Sequence, residues 1–347
     1  MLLVVAALLA PDLLYPLEHA PQVSSTFGAY RLSHHHAGLD LTTGGDETVV
    51  VRAAAAGNIF RIKRTHNGYG RAIYVRHPGG LVTVYGHLSA FAPKLRKFAQ
   101  KFEAESGVYA FDKRVKAIAV KAGEALGWVG TSGTDLVHLH FEVRAPEPVN
   151  PLLHGLKIPD TQAPVVRRLL AYARGPRAHV NGGHDEVFVT PDAGFSARGE
   201  VDLLVEVVDR HDGGARDLQP LWVELHVDGA LRHRSHYGRL SYADKWHNEL
   251  DIHPRLSNHK EGVFHRLYRA RGKLRVHEVS WRGLRTLKPG KHSLLIRAGD
   301  AAGNTGEARF DVRVEAAERA CAPTRRSIEG GTSAAPPADR LWRGDLL

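Results

Sequence analysis

Residues 125–144 read ALGWVGTSGTDLVHLHFEVR, in which two short β-prone segments flank the turn signal Ser132-Gly133. The same rhythm of short strands and turns extends outward in both directions, to about Pro21 and Leu153. Strands are predicted at 47–53, 57–63, 71–77, 81–88, 125–129 and 138–144. A mostly antiparallel β domain over residues 20–156 is the fold that this rhythm predicts.

One segment of this domain departs from the strand rhythm. From Pro93 to about Ser106 the apolar side chains recur at helical spacing opposite a charged face. We expect a helical insertion at about 93–116, which could form a wall of a substrate groove or only cover the flank of the domain.

The chain continues beyond this domain with a different organisation. Residues 157–164 contain two prolines among polar residues and are predicted to be a linker. Strands alternate again in 165–315, which predicts an immunoglobulin-like β-sandwich. The composition of 316–347 predicts a disordered tail, and the apolar run 2–10 within residues 1–19 suggests the remnant of an export signal.

Composition narrows the classes of partner and of metal site. The 347 residues include 47 Lys and Arg against 37 Asp and Glu, a net charge of +10, which favours polyanionic surroundings such as nucleic acid, anionic lipid or cell-wall polymer. No basic helix interleaved with aromatic residues is evident, so nucleic acid ranks last, and no apolar stretch is long enough for a membrane span. The single cysteine excludes a Cys-based zinc site within one chain.

Two motifs place pairs of polar side chains on one face of a strand. In His138-Leu-His140-Phe-Glu142, the alternation of a strand puts both histidines on one face and directs Leu139 and Phe141 into the core. In His36-Ala-Gly-Leu-Asp40, the same alternation would pair His36 with Asp40 and leave open space at Gly38.

These side chains suit a metal ion with an exchangeable ligand. Neutral imidazoles and a carboxylate are ligands of zinc, and three protein ligands leave a fourth position for water. Each motif is weak by itself in a chain with 22 histidines. Their occurrence together with Tyr85-Gly-His87-Leu88, in one domain, is much more specific.

At this point the chain resembles the lysostaphin-type, or LytM-like, zinc metallopeptidases that cut peptide cross-links of bacterial cell walls. The resemblance covers about Phe27 to Leu153. Besides the three histidine motifs it rests on Phe27-Gly28, Gly68-Tyr-Gly70, Val120-Lys-Ala-Gly123, Gly127-Trp-Val-Gly130 and Gly133.

The resemblance implies a role for each histidine motif. His36, Asp40 and His140 would bind one zinc ion per chain, and His87 and His138 would be the catalytic residues. Which of the latter two acts as the general base stays open. The chain differs from compact members of the family in the long segment after His87, which contains the predicted helix.

Neighbouring polar residues receive simpler interpretations. His34 and His35 are expected at the rim. Glu142 could orient a metal ligand, but a solvated position at the strand end is favoured. Arg144 could contact a substrate carboxylate, but a surface position is favoured.

The function implied is that of an exported zinc endopeptidase of the periplasm or cell envelope that hydrolyses peptidoglycan stem-peptide cross-links. Its C-terminal domain could contact another envelope protein. The first alternative is a non-catalytic LytM-like regulator that activates a cell-wall amidase. The second is an adhesion or carbohydrate-binding role for the sandwich, for which 165–315 offer no ligand constellation.

Overall fold

A computed structural model describes residues 12–244, 246–258, 262–272 and 274–316 of this chain. The predicted export-signal run at 2–10 lies outside these residues, as does almost all of the predicted tail at 316–347. The described residues form one compact unit.

The first half of the described chain is built from short strands. In chain order these are β1 Val23–Ser25, β2 Tyr30–Arg31, β3 His34–His35, β4 Leu39–Thr42, β5 Val50–Arg52, β6 Gly57–Arg64, β7 Arg71–Arg76, β8 Val82–Gly86, β9 Ala90–Phe91, β10 Phe111–Val120, β11 Ala125–Trp128, β12 His138–Arg144 and β13 Pro148–Val149. Every predicted strand of this half is present, most with slightly shorter bounds.

The main sheet of this half is antiparallel throughout. Its order is β1-β4-β12-β8-β7-β6-β10, and β13 pairs with the outer part of β12. A second sheet has the order β5-β11-β9, and β2 pairs with β3. Their apolar faces enclose a core whose fully buried members include Phe27, Leu39, Leu41, Ile73, Tyr85 and Phe141. The prediction of a mainly antiparallel β fold is confirmed.

A single α-helix, α1, occurs in the described residues and spans Pro93–Ser106. Proline begins it, and Gly107 ends it in the left-handed conformation, with its N–H donated to the carbonyl of Glu103. The rest of the predicted helical insertion is wrong, because Phe111–Val120 forms β10 at the edge of the main sheet. Its exposed Lys113, Arg114 and Lys116 are typical of a protected sheet edge, and this charge obscured the strand pattern.

The second half is also built from strands. They are β14 Val165–Ala173, β15 His179–Val180, β16 Val187–Val189, β17 Gly194–Arg198, β18 Val201–Val208, β19 Trp222–Val227, β20 Ala230–His236, β21 Phe264–Arg266, β22 His277–Val279, β23 Gly290–Gly299 and β24 Thr305–Val314. Across both halves, short 3-10 helices occur at Pro78–Gly80, Pro151–Leu153, Tyr242–Asp244, Asn248–Leu250 and Leu284–Thr286.

These strands form a four-stranded sheet, β16-β14-β18-β21, and a seven-stranded sheet, β15-β17-β24-β23-β19-β20-β22. Both contribute to one hydrophobic core, for example Val205 from the first sheet and Phe310 from the second. A β-sandwich remains our interpretation of this arrangement, and immunoglobulin-like topology remains a prediction.

The two halves are connected by hydrophobic contacts as well as by the predicted linker. Five buried side chains of the second half belong to the core of the first: Leu218, Tyr237, Leu240, Leu274 and Val276. Among the described residues, no helix has both the length and the apolar character needed to cross a bilayer.

Candidate metal centre

The centre of the main sheet brings three chain segments together. In the antiparallel pair β4–β12, Asp40 lies directly opposite His140. On the other side of β12, His140 lies opposite Gly86, the last residue of β8, so His87 follows at the same end of the sheet. The register of the sheet therefore gathers the side chains that the sequence singled out.

Strand β12 follows the predicted alternation. Leu139 and Phe141 have no exposed surface and lie in the core. His138 and His140 both approach the carboxylate of Asp40 from the opposite face.

The predicted geometry of His36 and Gly38 is wrong. His36 lies before β4 rather than within a continuous strand, and there is no open space at Gly38. A Cβ atom added to Gly38 would lie 2.5 Å from the carbonyl oxygen of Phe141 and 2.9 Å from Cγ of Glu142. Glycine thus permits close approach of β12, and His36 reaches Asp40 through a bend in the chain.

His36, Asp40 and His140 form a compact set of ligand-type atoms that all lie within 4.8 Å of one another. Oδ1 of Asp40 lies 3.0 Å from Nε2 of His36 and 3.0 Å from Nδ1 of His140. The two ring nitrogens are themselves 3.0 Å apart. All three residues are buried.

Each imidazole has one nitrogen that points away from Asp40, and the hydrogen bond of that outer nitrogen determines which nitrogen faces the centre. Nδ1 of His36 lies 2.9 Å from the carbonyl oxygen of Thr26, and Nε2 of His140 lies 2.8 Å from Oε1 of Glu142. If each outer nitrogen donates its proton to that oxygen, the facing nitrogens of the neutral rings both present lone pairs. Two lone pairs and a carboxylate oxygen directed at one point suit a cation, and this donor set of two imidazoles and one carboxylate suits zinc.

The second oxygen of Asp40 is held by a cation of the chain. Nη2 of Arg31 donates to Oδ2 of Asp40 over 2.8 Å and to Oγ of Ser25 over 3.0 Å. Burial raises the pKa of Asp40, but the charges and hydrogen bonds of the surrounding histidines outweigh it and hold this pKa well below its usual range. Asp40 is therefore ionised, with Oδ1 directed at His36 and His140.

Glu142 connects the centre to a buried polar network. Its side chain has no exposed surface, and it accepts hydrogen bonds from Tyr69 and from Arg144, the latter over 2.6 Å. Burial opposes its charge, but His140 and Arg144 lower the pKa of Glu142 to about 2. Asp40 and Glu142 in turn outweigh the effect of burial on His140 and raise its pKa to about 9.

His87 and His138 lie side by side next to this cluster, with ring centroids 4.8 Å apart. Nδ1 of His87 lies 2.9 Å from the carbonyl oxygen of Ser132, and Nδ1 of His138 lies 2.9 Å from that of Leu136. Burial, together with His140, lowers the pKa of His87 to about 3, so this imidazole is neutral at physiological pH. A neutral imidazole with a free Nε2 can accept a proton.

His87 also has a special backbone conformation, with φ of +63°. Non-glycine residues adopt this left-handed region at a cost, and such residues occur often at functional sites. The chain reverses there, directly after β8, and this reversal places the ring beside His138.

Sequence reasoning missed the residues that support the centre. Glu142 is completely buried rather than solvated, and Arg144 is partly buried against it. His35 is buried, with Nε2 3.5 Å from Oδ2 of Asp251, rather than at the rim. Arg31 was not considered, and Tyr69 was noted only within the motif Gly68-Tyr-Gly70, without a role beside Glu142. Only Glu142 carried a usable signal, because it shares the strand face of His138 and His140.

Comparison with known proteins shows a similarity in the first half of the chain. Residues 34–103 match the family described as Peptidase family M23. This half is therefore similar to M23 peptidases, and it is called the M23 domain below. The matched segment contains His36, Asp40 and His87, while His138 and His140 reach the same centre through the sheet.

Individual relatives of the M23 domain are known from bacteria. The DD-carboxypeptidase/endopeptidase Mpg of Neisseria meningitidis serogroup B is 34% identical over 151 residues, covering 41% of this chain and 29% of that protein. Outer membrane antigenic lipoprotein B of Haemophilus influenzae is 30% identical over 107 residues, covering 31% and 21%. The chain thus spans less than a third of the length of these curated relatives.

A solved structure with a similar region is that of a zinc-containing peptidase from Vibrio cholerae. It is 22% identical, covers 37% of this chain and 35% of that one, and has a TM-score of 0.27.

Proposed function

We propose that the M23 domain is a zinc-dependent peptidase that hydrolyses peptide cross-links of bacterial peptidoglycan. The observation that supports this most strongly is the convergence of His36, Asp40 and His140. Their inward atoms form a buried donor set suited to zinc, and each ring is oriented by an outer hydrogen bond.

In this proposal the five side chains divide the work. His36, Asp40 and His140 would hold one zinc ion, which supplies polarisation of a peptide carbonyl and acidification of water. His87 and His138 lie beside the ligands, where an imidazole could accept a proton from water or donate a hydrogen bond to a developing oxyanion. Their adjacency allows either ring to take either task.

The substrate class follows from the relatives and from charge. Mpg is named as a DD-carboxypeptidase and endopeptidase, and the second relative as an outer-membrane lipoprotein. A net charge of +10 favours residence near an anionic cell wall. We therefore propose an exported protein of the periplasm or cell envelope, whose second half could bind another envelope protein.

The test combines metal analysis with digestion. Purified full-length chain should contain about one zinc per molecule, as three protein ligands imply, and should cleave cross-linked muropeptide dimers. Monomeric pentapeptides, tested in parallel, would report carboxypeptidase action. His36→Ala and His140→Ala should lose both zinc and cleavage. His66→Ala replaces an exposed histidine of the same half and should retain both.

His87→Ala and His138→Ala separate binding from chemistry. Each should retain zinc but lose cleavage by a factor of at least about 10², the usual contribution of a general acid or base. Stoichiometric zinc without turnover in the wild-type chain, together with stimulation of a cell-wall amidase, would replace the peptidase by the regulator.

A further inference from the structure

A second group of buried carboxylates shares no residue with the histidine centre. It consists of Asp160 in the 157–164 segment, Asp209 directly after β18 and Asp300 directly after β23. One oxygen from each lies within 4.8 Å of the others. Three separate chain segments therefore bring negative charge to one point.

This group is unusual because it is buried. The side chain of Asp160 is 1% exposed, and Asp209 and Asp300 are 3% and 5% exposed as residues. Burial, reinforced by the neighbouring Asp300 and Asp160, raises the pKa of Asp209 to about 8. Buried carboxylates that repel one another are costly unless a cation compensates them.

The chain supplies little such compensation. The ion pair found at this group within the described residues joins Asp160 to His211, with Nδ1 of His211 3.3 Å from Oδ2 of Asp160. Burial lowers the pKa of His211, which favours the neutral imidazole. A neutral ring leaves the negative charge in place.

Two buried polar atoms at this group lack hydrogen bonds in the described part of the chain. They are Oδ2 of Asp160 and Nδ1 of His211, whose side chain is 8% exposed. Such atoms are rare in folded proteins and often indicate an ion or a water molecule. The two atoms lie 3.3 Å from each other, without the geometry of a hydrogen bond.

Backbone N–H groups already orient the three carboxylates. Oδ1 of Asp160 accepts from the N–H of Gln162, and Oδ1 of Asp209 accepts from that of Arg210. Oδ1 of Asp300 accepts from the N–H groups of Gly303 and Asn304. Oδ2 of Asp300 also accepts from Nδ2 of Asn304 over 2.8 Å. N–H groups of the loops thus orient all three carboxylates.

We propose that Asp160, Asp209 and Asp300 form a site for a divalent cation, specifically Ca²⁺, which joins the 157–164 segment to the ends of β18 and β23. Carboxylate oxygens suit Ca²⁺, which accepts irregular coordination geometry, whereas Mg²⁺ requires near-octahedral geometry with several waters, and zinc prefers nitrogen and sulfur. This site is independent of the proposed peptidase activity.

The position of the site suggests what the cation would stabilise. The loop after Asp209 returns through a bridge between Asp209 and Leu218 to Gln219, whose side chain donates to the carbonyl of Gly28 in the first half. Ca²⁺ would therefore hold the loop that attaches the second half to the M23 domain.

The test uses the full chain, loaded with one equivalent of zinc and dialysed free of other metals. Addition of CaCl₂ to about 5 mM, above the affinities usual for extracellular Ca²⁺ modules, should raise the Tm by several degrees, and calorimetric titration should show one site. Asp209→Asn and Asp160→Asn should weaken Ca²⁺ binding at least about tenfold, because ligand charge sets affinity. Exposed Asp185→Asn is the matched control and should bind as the wild type does.

The Tm of the Asp209→Asn variant in the absence of calcium is a further prediction. Because the pKa of Asp209 is raised to about 8, this group is mostly protonated near pH 7 when no cation is bound. The neutral amide of Asp209→Asn should therefore leave the Tm in metal-free buffer equal to or above that of the wild type, while the response to Ca²⁺ is lost. His36→Ala should keep the response. Absence of any wild-type Tm shift or binding heat, retention of binding in both Asp variants, or equal preference for Mg²⁺ would overturn the proposal.

Discussion

Nε2 of His140 lies 2.8 Å from Oε1 of Glu142, a completely buried carboxylate two residues further along the same strand. This contact occupies the outer nitrogen of the ring, so that Nδ1 faces Asp40 and His36. Orientation of a ligating imidazole by a carboxylate typically affects metal affinity by about 10–100-fold. Glu142→Gln should therefore weaken zinc binding by about that factor, as measured by competition with a chromophoric chelator.

A control is needed because Glu142 also neutralises Arg144. The single variant leaves the charge of Arg144 without its carboxylate partner. The double variant Glu142→Gln/Arg144→Gln removes this charge as well, so the stability of the fold should be restored while zinc affinity stays low. If zinc affinity returned to normal in the double variant, orientation of His140 would not be the cause.

The pKa of His140 predicts how zinc binding depends on pH. Asp40 and Glu142 raise this pKa from 6.5 to about 9 in the metal-free protein, against the effect of burial, while Arg31 and Arg144 balance the two carboxylates. Since a ligating nitrogen must be deprotonated, zinc must displace this proton at neutral pH. Titration at pH 7 in buffers of different ionisation enthalpy should show release of about one proton per zinc.

The same raised pKa affects the stability of the metal-free fold. Protonated His140 stabilises the folded state fully below the unfolded pKa of 6.5, and this contribution is lost as pH rises through about 9. Urea unfolding of metal-free protein should show a decline in stability across this window that His140→Gln lacks. A flat profile in the wild type would contradict the assignment of the raised pKa to His140.

Close packing at Gly38 predicts that a larger residue there destabilises the fold. Gly38→Ala would place a methyl group against the carbonyl oxygen of Phe141 and the side chain of Glu142. Because a backbone atom cannot move aside easily, the free energy of unfolding should fall by about 1–3 kcal/mol, and zinc affinity should fall with it.

Gly183→Ala is the matched control for this substitution. A Cβ atom at Gly183 would have no neighbour nearer than 3.8 Å, and its φ lies outside the left-handed region. Equal stability losses at positions 38 and 183 would show that the approach of β12 does not determine the requirement for glycine.

The sequence predicted most strands of the first half because strand alternation is a local pattern, and it singled out five histidine and aspartate residues that the structure brings together. Alternation within His138–Arg144 determines which side chains reach the core, and the spacing of short strands determines the antiparallel fold. Whether those five residues bind zinc and catalyse hydrolysis remains a proposal, since the geometry supplies the donor set and not the roles.

What the sequence did not predict depends on contacts between distant segments. Arg31 comes from a short hairpin, and the carbonyl oxygen of the same residue accepts a hydrogen bond from Asn248 in the second half. Burial of Glu142 depends on Tyr69, more than 70 residues away. The carboxylates of Asp160, Asp209 and Asp300 meet only after three loops fold together. The pattern of apolar and polar residues within one segment does not predict contacts between distant segments.

His87 offers a test of strain at the candidate site. Its φ of +63° is unfavourable for a residue with a Cβ atom but not for glycine. His87→Gly and His87→Ala both remove the imidazole and should both abolish cleavage. Their comparison isolates the backbone, and the glycine variant should be more stable by about 1 kcal/mol in urea unfolding.

The matched pair for this comparison is His66→Gly and His66→Ala. His66 is exposed and is not among the residues with positive φ, so glycine there should be no more stable than alanine and should lose backbone entropy instead. If glycine were favoured equally at both positions, or at neither, the reversal after β8 would impose no strain on His87. A preference confined to position 87 would mean that the chain accepts a local cost to hold this imidazole beside His138.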